Sequence, residues 1–197
     1  MTNLVTDEEL YSRFLDNRDE DALLVLITRH KENLMLFING FVHNIDLAEE
    51  LALDTFSEVA AGPTLFSGAS SFKTWLFGVG RNLALKSINR SKRFFEKPIE
   101  EVDDLSDSSS ADPFCHNNSP EAELLKDEQN RNLYEAMSSL NPEYRRVLIL
   151  LYFEDMTREE AAAVMGKSKK QVYNLAERGR KALKEILVKT GFEYELL

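Results

Sequence analysis

The stretch of residues 157–187 constrains this chain most, because it predicts two helices joined by a tight turn. Thr157 and Glu160 have the spacing of a capping box, Ser168 and Gln171 repeat it, and a glycine lies between the two boxes. The second predicted helix carries a large excess of Lys and Arg. A helix-turn-helix with cations and amides near the start of its second helix is suited to the major groove of DNA. A surface helical hairpin with a solvated basic face is the alternative.

Length and composition leave room for one ordinary domain or two small ones. The chain has 197 residues, of which 43% are hydrophobic, so there is material for a packed core. No apolar run approaches the roughly 18 residues of a membrane span, and the N-terminus is acidic where a secretory signal would be basic. We therefore expect a cytoplasmic protein without membrane insertion. The single cysteine, Cys115, has no partner for an internal disulfide and no companion metal ligands.

The net charge of -10 is unevenly distributed along the chain. Residues 1–60 contain four Lys or Arg against thirteen Asp or Glu, whereas residues 81–97 contain six cations against one glutamate. The second helix of the helix-turn-helix is the other basic block. Because salt screens charges beyond about 10 Å, each basic patch can hold phosphate locally on an acidic body. The acidic remainder disfavours indiscriminate DNA binding and suggests that a partner helps to deliver the protein.

Two helices are predicted in the first 42 residues. Thr6 and Glu9 have capping-box spacing and start a short helix that ends near residue 15. Acidic residues at positions 19–21 then precede a long predicted helix over residues 22–42, which has one apolar face. His30 lies on that face, and we expect it to be a residue of the core edge or the surface rather than a ligand.

A third predicted helix, residues 47–61, presents an acidic face. Asp46 and Glu49 have capping-box spacing at its start, and a Gly-Pro pair follows its end. Its apolar residues can pack inward, which leaves the carboxylates either as plain solvated surface or as a docking face for a basic partner. His43, Asp46 and Glu50 are conceivable metal ligands, but a single histidine with flexible surface carboxylates is a weak metal signal. No metal site is expected.

Aromatic and basic side chains are interspersed in the fourth predicted helix, residues 72–95, and in the small-residue loop before it. Aromatic rings can stack on unpaired bases while cations hold the backbone, so this segment suits single-stranded DNA. The alternative is that Trp75 and Phe77 are ordinary core residues.

The composition changes abruptly over residues 97–120, which are rich in Ser, Asp and Pro and predict a flexible acidic linker. Its twenty-four residues extend to at most about 80 Å, so two flanking domains could reach sites two DNA turns, or roughly 70 Å, apart. After it, a helix over residues 121–138 and another from Asn141-Pro142 join the helix-turn-helix in a four-helix domain. The predicted fold is all-α: two small helical domains, residues 1–96 and 121–197, joined by the linker.

Three segments in this order resemble one family, the small two-domain sigma factors of bacterial RNA polymerase called the extracytoplasmic-function group. DLAEELALDTFSEV is similar to the segment of the family's second region that binds the clamp helices of the largest polymerase subunit. FKTWLFGVGRNLALKSINRSKR resembles the helix that opens the strands and recognises the minus-ten element. LNPEYRRVLILLYFEDMTREEAAAVMGKSKKQVYNLAERGRKAL resembles the fourth-region domain that reads the minus-thirty-five element. The resemblance covers nearly everything outside the linker.

The resemblance implies roles for three groups of residues. Polymerase docking falls to Asp46, Glu49, Glu50, Leu51, Asp54 and Phe56. A pocket for a flipped base and contacts to minus-ten DNA fall to Phe66, Ser67, Lys73, Trp75, Asn82, Asn89, Arg90 and Arg93. The groove of the minus-thirty-five element would be faced by Lys169, Lys170, Gln171, Asn174 and Arg178, and its phosphates held by Arg180, Lys181 and Lys184.

The function implied by the resemblance has no catalytic site and no cofactor. Its partners would be core RNA polymerase, promoter DNA and an inhibitory anti-sigma factor. Two other functions remain open: a stand-alone helix-turn-helix regulator whose N-terminal helices sense a ligand or dimerise, and a metal-dependent hydrolase using His43, Asp46 and Glu50. One departure from the family is Gly179, which stands where alanine is usual and is expected to loosen the second helix by about 1 kcal/mol.

Overall fold

The computed structural model describes residues 5–61, 66–95, 133 and 135–189, and within these ranges every regular element is helical. The elements are α1 (Asp7–Asn17), α2 (Glu20–Val42), α3 (Ile45–Ala61), α4 (Phe72–Phe95), α5 (Pro142–Leu148), a π-helical segment (Ile149–Phe153), α6 (Arg158–Met165) and α7 (Lys169–Lys189). The all-α prediction is confirmed. The linker predicted over residues 97–120 and most of the helix predicted over residues 121–138 lie outside the described residues. We call α1–α4 the N-terminal unit and the described residues from 133 onward the C-terminal unit.

Local hydrogen bonds explain where the first two helices begin. At the start of α1, the Glu9 amide donates to Thr6 Oγ1 at 3.2 Å, and the Thr6 amide donates to Glu9 Oε2 at 3.1 Å. This is the predicted capping box. Asp19 caps α2 because its Oδ1 accepts from the Ala22 amide at 3.1 Å. Both caps satisfy amides that have no partner inside the helix.

The start of α3 corrects the sequence prediction. Asn44, and not Asp46, supplies the cap: its Oδ1 accepts from the Leu47 amide at 2.9 Å. The helix therefore begins at Ile45, two residues earlier than predicted, and the capping box expected between Asp46 and Glu49 is replaced by this contact. Asp46 lies in the first turn, where its charge interacts favourably with the helix dipole. The Gly-Pro pair expected to end α3 lies outside the described residues.

The central helix of the N-terminal unit is α2, which packs on α1, α3 and α4. Its apolar face is buried as the spacing predicts, and the fully buried side chains include Leu26, Leu34, Phe37 and Ile38. Facing them from α4 are Leu76 and Phe77, both fully buried. Each such side chain contributes about 1.5–3 kcal/mol by leaving water. The acidic side of α3 and the end of α4 are thereby held on a rigid base.

The C-terminal unit is built on the close approach of α5 and α7. A methyl group added at buried Gly179 would lie 3.2 Å from Cβ of Tyr144 and 3.4 Å from Cδ1 of Leu148. Sequence reasoning expected this glycine only to loosen α7, whereas the structure shows that the missing side chain lets the two helices pack closely. Helix α7 therefore packs directly on α5.

The π-helical segment turns the chain sharply before α6. The Glu154 amide donates to the Ile149 carbonyl at 3.0 Å, a five-residue step that ends the segment, and Asp155 follows with φ 48°. The turn directs the Glu154 side chain inward, where only 4% of the residue is exposed. No helix in the described ranges is both long and apolar enough to cross a membrane.

Candidate nucleic-acid interface

The predicted helix-turn-helix is present, with both capping boxes formed. At α6, Glu160 receives the Thr157 amide at 2.9 Å and its own amide donates to Thr157 Oγ1 at 3.2 Å. At the start of α7, the Ser168 amide donates to Gln171 Oε1 at 2.8 Å. Gly166 ends α6 with φ 63° and ψ 37°, a left-handed conformation that glycine adopts without a steric penalty. The turn is therefore fixed by residues within one stretch of fifteen positions, 157–171.

The residues predicted to contact DNA on α7 are all exposed. They are Lys169, Lys170, Gln171, Asn174, Arg178, Arg180, Lys181 and Lys184. Two of them are paired within the protein: Lys169 Nζ lies 2.5 Å from Glu159 Oε1, and Arg180 is bonded to Glu177. Exposed ion pairs of this kind are weak and can exchange for phosphate. Within the described ranges, Lys170, Asn174, Arg178 and Lys181 show no hydrogen bond or ion pair through their side chains.

The side chain of Gln171 also caps α7, and this contact limits its use in base recognition. Its Oε1 accepts both from the Ser168 amide at 2.8 Å and from Ser168 Oγ at 3.1 Å. A glutamine that reads adenine uses its oxygen as well as its amide nitrogen. Gln171 can therefore donate to DNA while it caps α7, but it cannot make the bidentate contact without breaking the cap.

An arginine and a tyrosine that sequence reasoning missed extend the same surface. The Arg158 guanidinium, at the first position of α6, lies 5.0 Å from the centre of the Tyr173 ring, and Tyr173 is 45% exposed. This distance allows a cation–π contact. Tyr173 follows Lys169 by one helical turn, so its place on the DNA-facing side was available from the spacing alone.

The predicted minus-ten residues are divided between surface and core. Asn82, Asn89 and Arg90 are exposed along α4, and Ser67 is exposed before it. The side chain of Arg93 lies outside the described residues. An amide and cation row therefore exists on the distal part of α4, where contacts to a DNA strand are geometrically open.

The aromatic residues at the start of α4 form a ring cluster. Trp75 and Phe66 are half-buried, with ring centres 5.5 Å apart, and Trp75 lies 5.5 Å from the Tyr11 ring and 5.7 Å from the Phe72 ring. Such distances are those of packed aromatic pairs. Phe72 and Phe77 are fully buried, so for Phe77 the core interpretation is right. Phe66 and Trp75 have part of their surface open to a base only at the edge of this cluster.

Lys73 requires a correction. It is half-buried, and its Nζ donates to the backbone carbonyl of Glu154 in the C-terminal unit. Its charge is directed at that unit and away from solvent, so it does not face a DNA strand in this structure.

The acidic face of α3 is present, but two of its six predicted residues do not belong to it. Asp46, Glu49, Glu50 and Asp54 are exposed, whereas Leu51 and Phe56 are only 7% and 3% exposed. Because Leu51 and Phe56 point into the core, they support the face but cannot contact a partner directly, which corrects that part of the prediction.

Two further side chains complete the acidic face. Lys31 of α2 lies 2.7 Å from Glu49, and its hydrogen bond and charge lower the pKa of that exposed carboxyl. Leu53, missed at the sequence level, is 46% exposed among the carboxylates. It lies near the helical spacing of Asp46 and Glu50, which was the available signal. An exposed leucine on the same helix as exposed carboxylates suits a partner that is both basic and apolar.

No group of three or more His, Cys, Asp or Glu residues in the described ranges is arranged to hold a metal ion. This covers His43, Asp46 and Glu50, the set considered for a hydrolase.

Comparison with known proteins identifies the class. The family model "Sigma-70, region 4" matches residues 130–183, which include α6 and most of α7. The RNA polymerase sigma factor YlaC of Bacillus subtilis is 24% identical over 176 residues, covering 89% of this chain and 98% of that protein. The ECF RNA polymerase sigma factor SigW of the same organism is 21% identical over 169 residues, covering 86% of this chain and 90% of SigW.

A solved structure supports the fold. The sigma factor RpoE of Bartonella quintana, in complex with the anti-sigma factor NepR, superimposes with a TM-score of 0.61 at 24% identity, covering 86% of this chain and 97% of that one. The helix-turn-helix and these matches support a sigma factor, a promoter-directing protein of transcription initiation. Several of the similar proteins are extracytoplasmic-function (ECF) sigma factors, which supports that type for this chain. A stand-alone regulator is not favoured, and the matched relatives are sigma factors rather than enzymes.

Proposed function

We propose that this chain binds core RNA polymerase through the acidic face of α3 and reads promoter DNA through α7 and α4. The observation that carries the proposal is the presence of two surfaces of opposite charge. Four exposed carboxylates and the exposed Leu53 lie on α3, and exposed cations and amides line α7. One surface suits the basic clamp of the largest polymerase subunit, the other suits the phosphates and base edges of DNA.

The division of labour follows the two units. Residues 1–96 would form the domain for polymerase binding and the minus-ten element, residues 121–197 the domain for the minus-thirty-five element, with residues 97–120 linking them. On α4, Asn82, Asn89 and Arg90 would contact the minus-ten strand. Flipping a base costs a few kcal/mol and stacking returns about 1–3 kcal/mol per base. Strand opening would thus draw on binding energy shared with the polymerase and would need no ATP.

Lys170 is the residue of α7 that we propose reads a base. It is exposed, without an ion pair in the described ranges, and at the second position of α7, near the end where recognition helices reach base edges. Lys170→Ala should weaken binding of the cognate upstream element by about 1–3 kcal/mol, while binding of a scrambled duplex falls much less. Fluorescence anisotropy with both duplexes measures this, and Lys189→Ala, in the last turn, is the control. An equal loss on both duplexes would reassign Lys170 to phosphate.

Gln171 should behave as a cap and not as a base reader. Gln171→Ala is expected to lower the free energy of unfolding by about 1 kcal/mol, since a capping contact is lost, while Gln171→Glu keeps a Ser-x-x-Glu box and should stay close to the parent chain. Urea denaturation measures the difference. Selection of bound sequences from a random pool should give the same preferred element for Gln171→Ala as for the parent. A relaxed preference at one base would contradict this assignment.

Run-off transcription tests the proposal as a whole. The purified chain is added to core polymerase on a genomic library of the source organism, and new initiation sites are sequenced. We expect initiation at a defined set of promoters that core polymerase alone does not use. A chain that fails to bind core polymerase, yet holds duplex DNA alone, would instead be a stand-alone regulator. An anti-sigma factor is a further proposed partner, supported by the complex in which RpoE was solved.

A further inference from the structure

Glu154 joins the two units. It belongs to the C-terminal unit, yet its Oε1 accepts from Asn33 Nδ2 of α2 at 2.7 Å and its Oε2 lies 3.1 Å from His30 Nδ1. Its backbone carbonyl accepts from Lys73 Nζ of α4. One buried residue after the π-helical segment is therefore bonded to two helices of the N-terminal unit, and both of its carboxylate oxygens are used.

His30 completes this contact as a charged bridge. Its Nε2 lies 2.7 Å from Asp7 Oδ2 of α1, and Asp7 is also bonded to Arg29 at 2.7 Å. Burial alone would lower the pKa of His30, but the hydrogen bonds and charges of Asp7 and Glu154 raise it to about 9. The imidazole is therefore protonated at neutral pH and donates from both nitrogens. The charged groups facing this cluster are Asp7 from α1, Arg29 from α2, Lys73 from α4 and Glu154 from the C-terminal unit.

A second contact lies at the start of α4. Glu160 of α6 accepts from Ser71 Oγ at 2.7 Å and from Thr74 Oγ1 at 3.1 Å. The hydrogen bond from Ser71 is the main cause that lowers the pKa of Glu160 to about 2, with further help from Thr157 and Thr74. The capping residue of α6 is thus also the residue that fastens α6 to α4.

Other features of the interface between the two units destabilise it. The Arg81 guanidinium of α4 lies against the turn at Gly166, 2.9 Å from where a methyl group would sit. Its charge repels that of Arg146, which is bonded to the Gly40 carbonyl. The Nε atoms of both arginines are buried, without a hydrogen-bond partner in the described ranges. Like charges and unpaired buried donors oppose the bonds to Glu154 and Glu160, as expected of an interface that can open.

We propose that the start of α4 and the adjoining side of α2 form a docking surface for this chain's own helix-turn-helix unit, held by Glu154. This closed form keeps the two units from reaching separate promoter elements until polymerase or promoter opens it. The consequence for transcription rests on the proposed function. Units joined by bonds of about 3 Å cannot at the same time lie on promoter elements roughly 70 Å apart. Lys73 is released for DNA only when the interface separates, because its Nζ is bonded to the Glu154 carbonyl in the closed form.

Distance measurement on the full chain tests this directly. In a Cys115→Ser background, spin labels at Ser12→Cys of α1 and Glu185→Cys of α7, both exposed, report the separation of the units by double electron–electron resonance. The free chain should give one narrow distance distribution. Glu154→Gln should add a broad, longer component and raise the open fraction about tenfold, since a charged hydrogen bond is lost. Asp155→Asn is the matched control, because it removes the neighbouring charge at an exposed position with φ 48°, which asparagine tolerates.

Two results would overturn the docking surface: a broad distribution in the parent chain, or the same distribution in Glu154→Gln as in Asp155→Asn. A pH series on the labelled parent needs no further mutation and guards against misfolding of the variant. The open component should grow as the pH rises from 8 to 10 and His30 loses its proton. A distribution that stays constant over this range would also contradict the proposal.

Adding core polymerase separates this inference from the proposed function. A closed free chain that polymerase neither binds nor opens would leave the docking surface standing and refute the proposed function. A free chain that is already open, and still directs polymerase to promoters, would refute the docking surface alone.

Discussion

Replacing Glu50 and Asp54 together by lysine is expected to abolish binding to core polymerase, with at least a hundredfold loss of affinity. Both residues are exposed on the acidic face of α3, one helical turn apart, beside Leu53. The double replacement changes the local charge by four, and like charges placed against each other in an interface cost several kcal/mol. Exposed substitutions away from caps and core shift stability by about 0.5 kcal/mol or less, so the fold should persist.

The matched control reverses two carboxylates elsewhere on the same unit. Asp16→Lys with Glu32→Lys makes the same change in net charge at exposed positions of α1 and α2. Affinity for fluorescently labelled core polymerase and helical content by circular dichroism are measured for the parent and both variants. If the two double variants lose affinity equally, overall charge and not the α3 face governs docking. If neither loses affinity, the face is plain solvated surface.

The acidic face also shows how far the sequence could predict a site. Helical periodicity was enough to place Asp46, Glu50 and Asp54 outward, because their apolar neighbours must face the core. The family resemblance indicated which segment docks on polymerase, but it did not indicate which side chains of that segment face outward. Leu51 and Phe56 were therefore assigned to a contact that their burial prevents. A strict count of helical phase would have corrected both and would have added Leu53.

Capping boxes were predicted correctly at α1, α6 and α7 because the bonds that form them span only three residues. The same local logic failed at α3. Asn44 and Asp46 are both good caps by composition, and the left-handed conformation of His43, which ends α2, sets the chain direction that selects Asn44. The sequence alone identifies both Asn44 and Asp46 as possible caps, and the packing of α2 on α3 selects Asn44.

The contact between the units was beyond sequence reasoning. His30 and Glu154 are 124 residues apart, with the linker between them, and Glu154 follows a π-helical segment that no local pattern predicted. An acidic residue before a helix is usually solvated, so its burial had no signal in composition. Long-range partners of this kind are specified by the whole packed arrangement, which is why the domains were expected to be separate.

The largest effect on stability should come from this contact as a function of pH. The pKa of His30 rises from its ordinary 6.5 to about 9 in the folded chain. The folded state therefore binds a proton more tightly than the unfolded state, and the resulting stabilisation is fully present below pH 6.5 and lost as the pH rises through 9. A shift of this size corresponds to about 3 kcal/mol. Asp7 acts in the opposite sense, because its lowered pKa makes its contribution disappear only in strong acid.

Urea denaturation at pH 6, 8 and 10 should accordingly show the free energy of unfolding falling by about 3 kcal/mol, most steeply between the two pKa values of His30, 6.5 and about 9. His30→Gln should be less stable than the parent at pH 6 and nearly flat over this range, since the titrating group is gone. His43→Gln, at an exposed position, should keep the full pH dependence of the parent. A parent profile without this fall would mean that His30 is not bound between two carboxylates in solution. A fall in the free energy of unfolding that persists in His30→Gln would assign the titration to another group, because this variant has no imidazole at position 30.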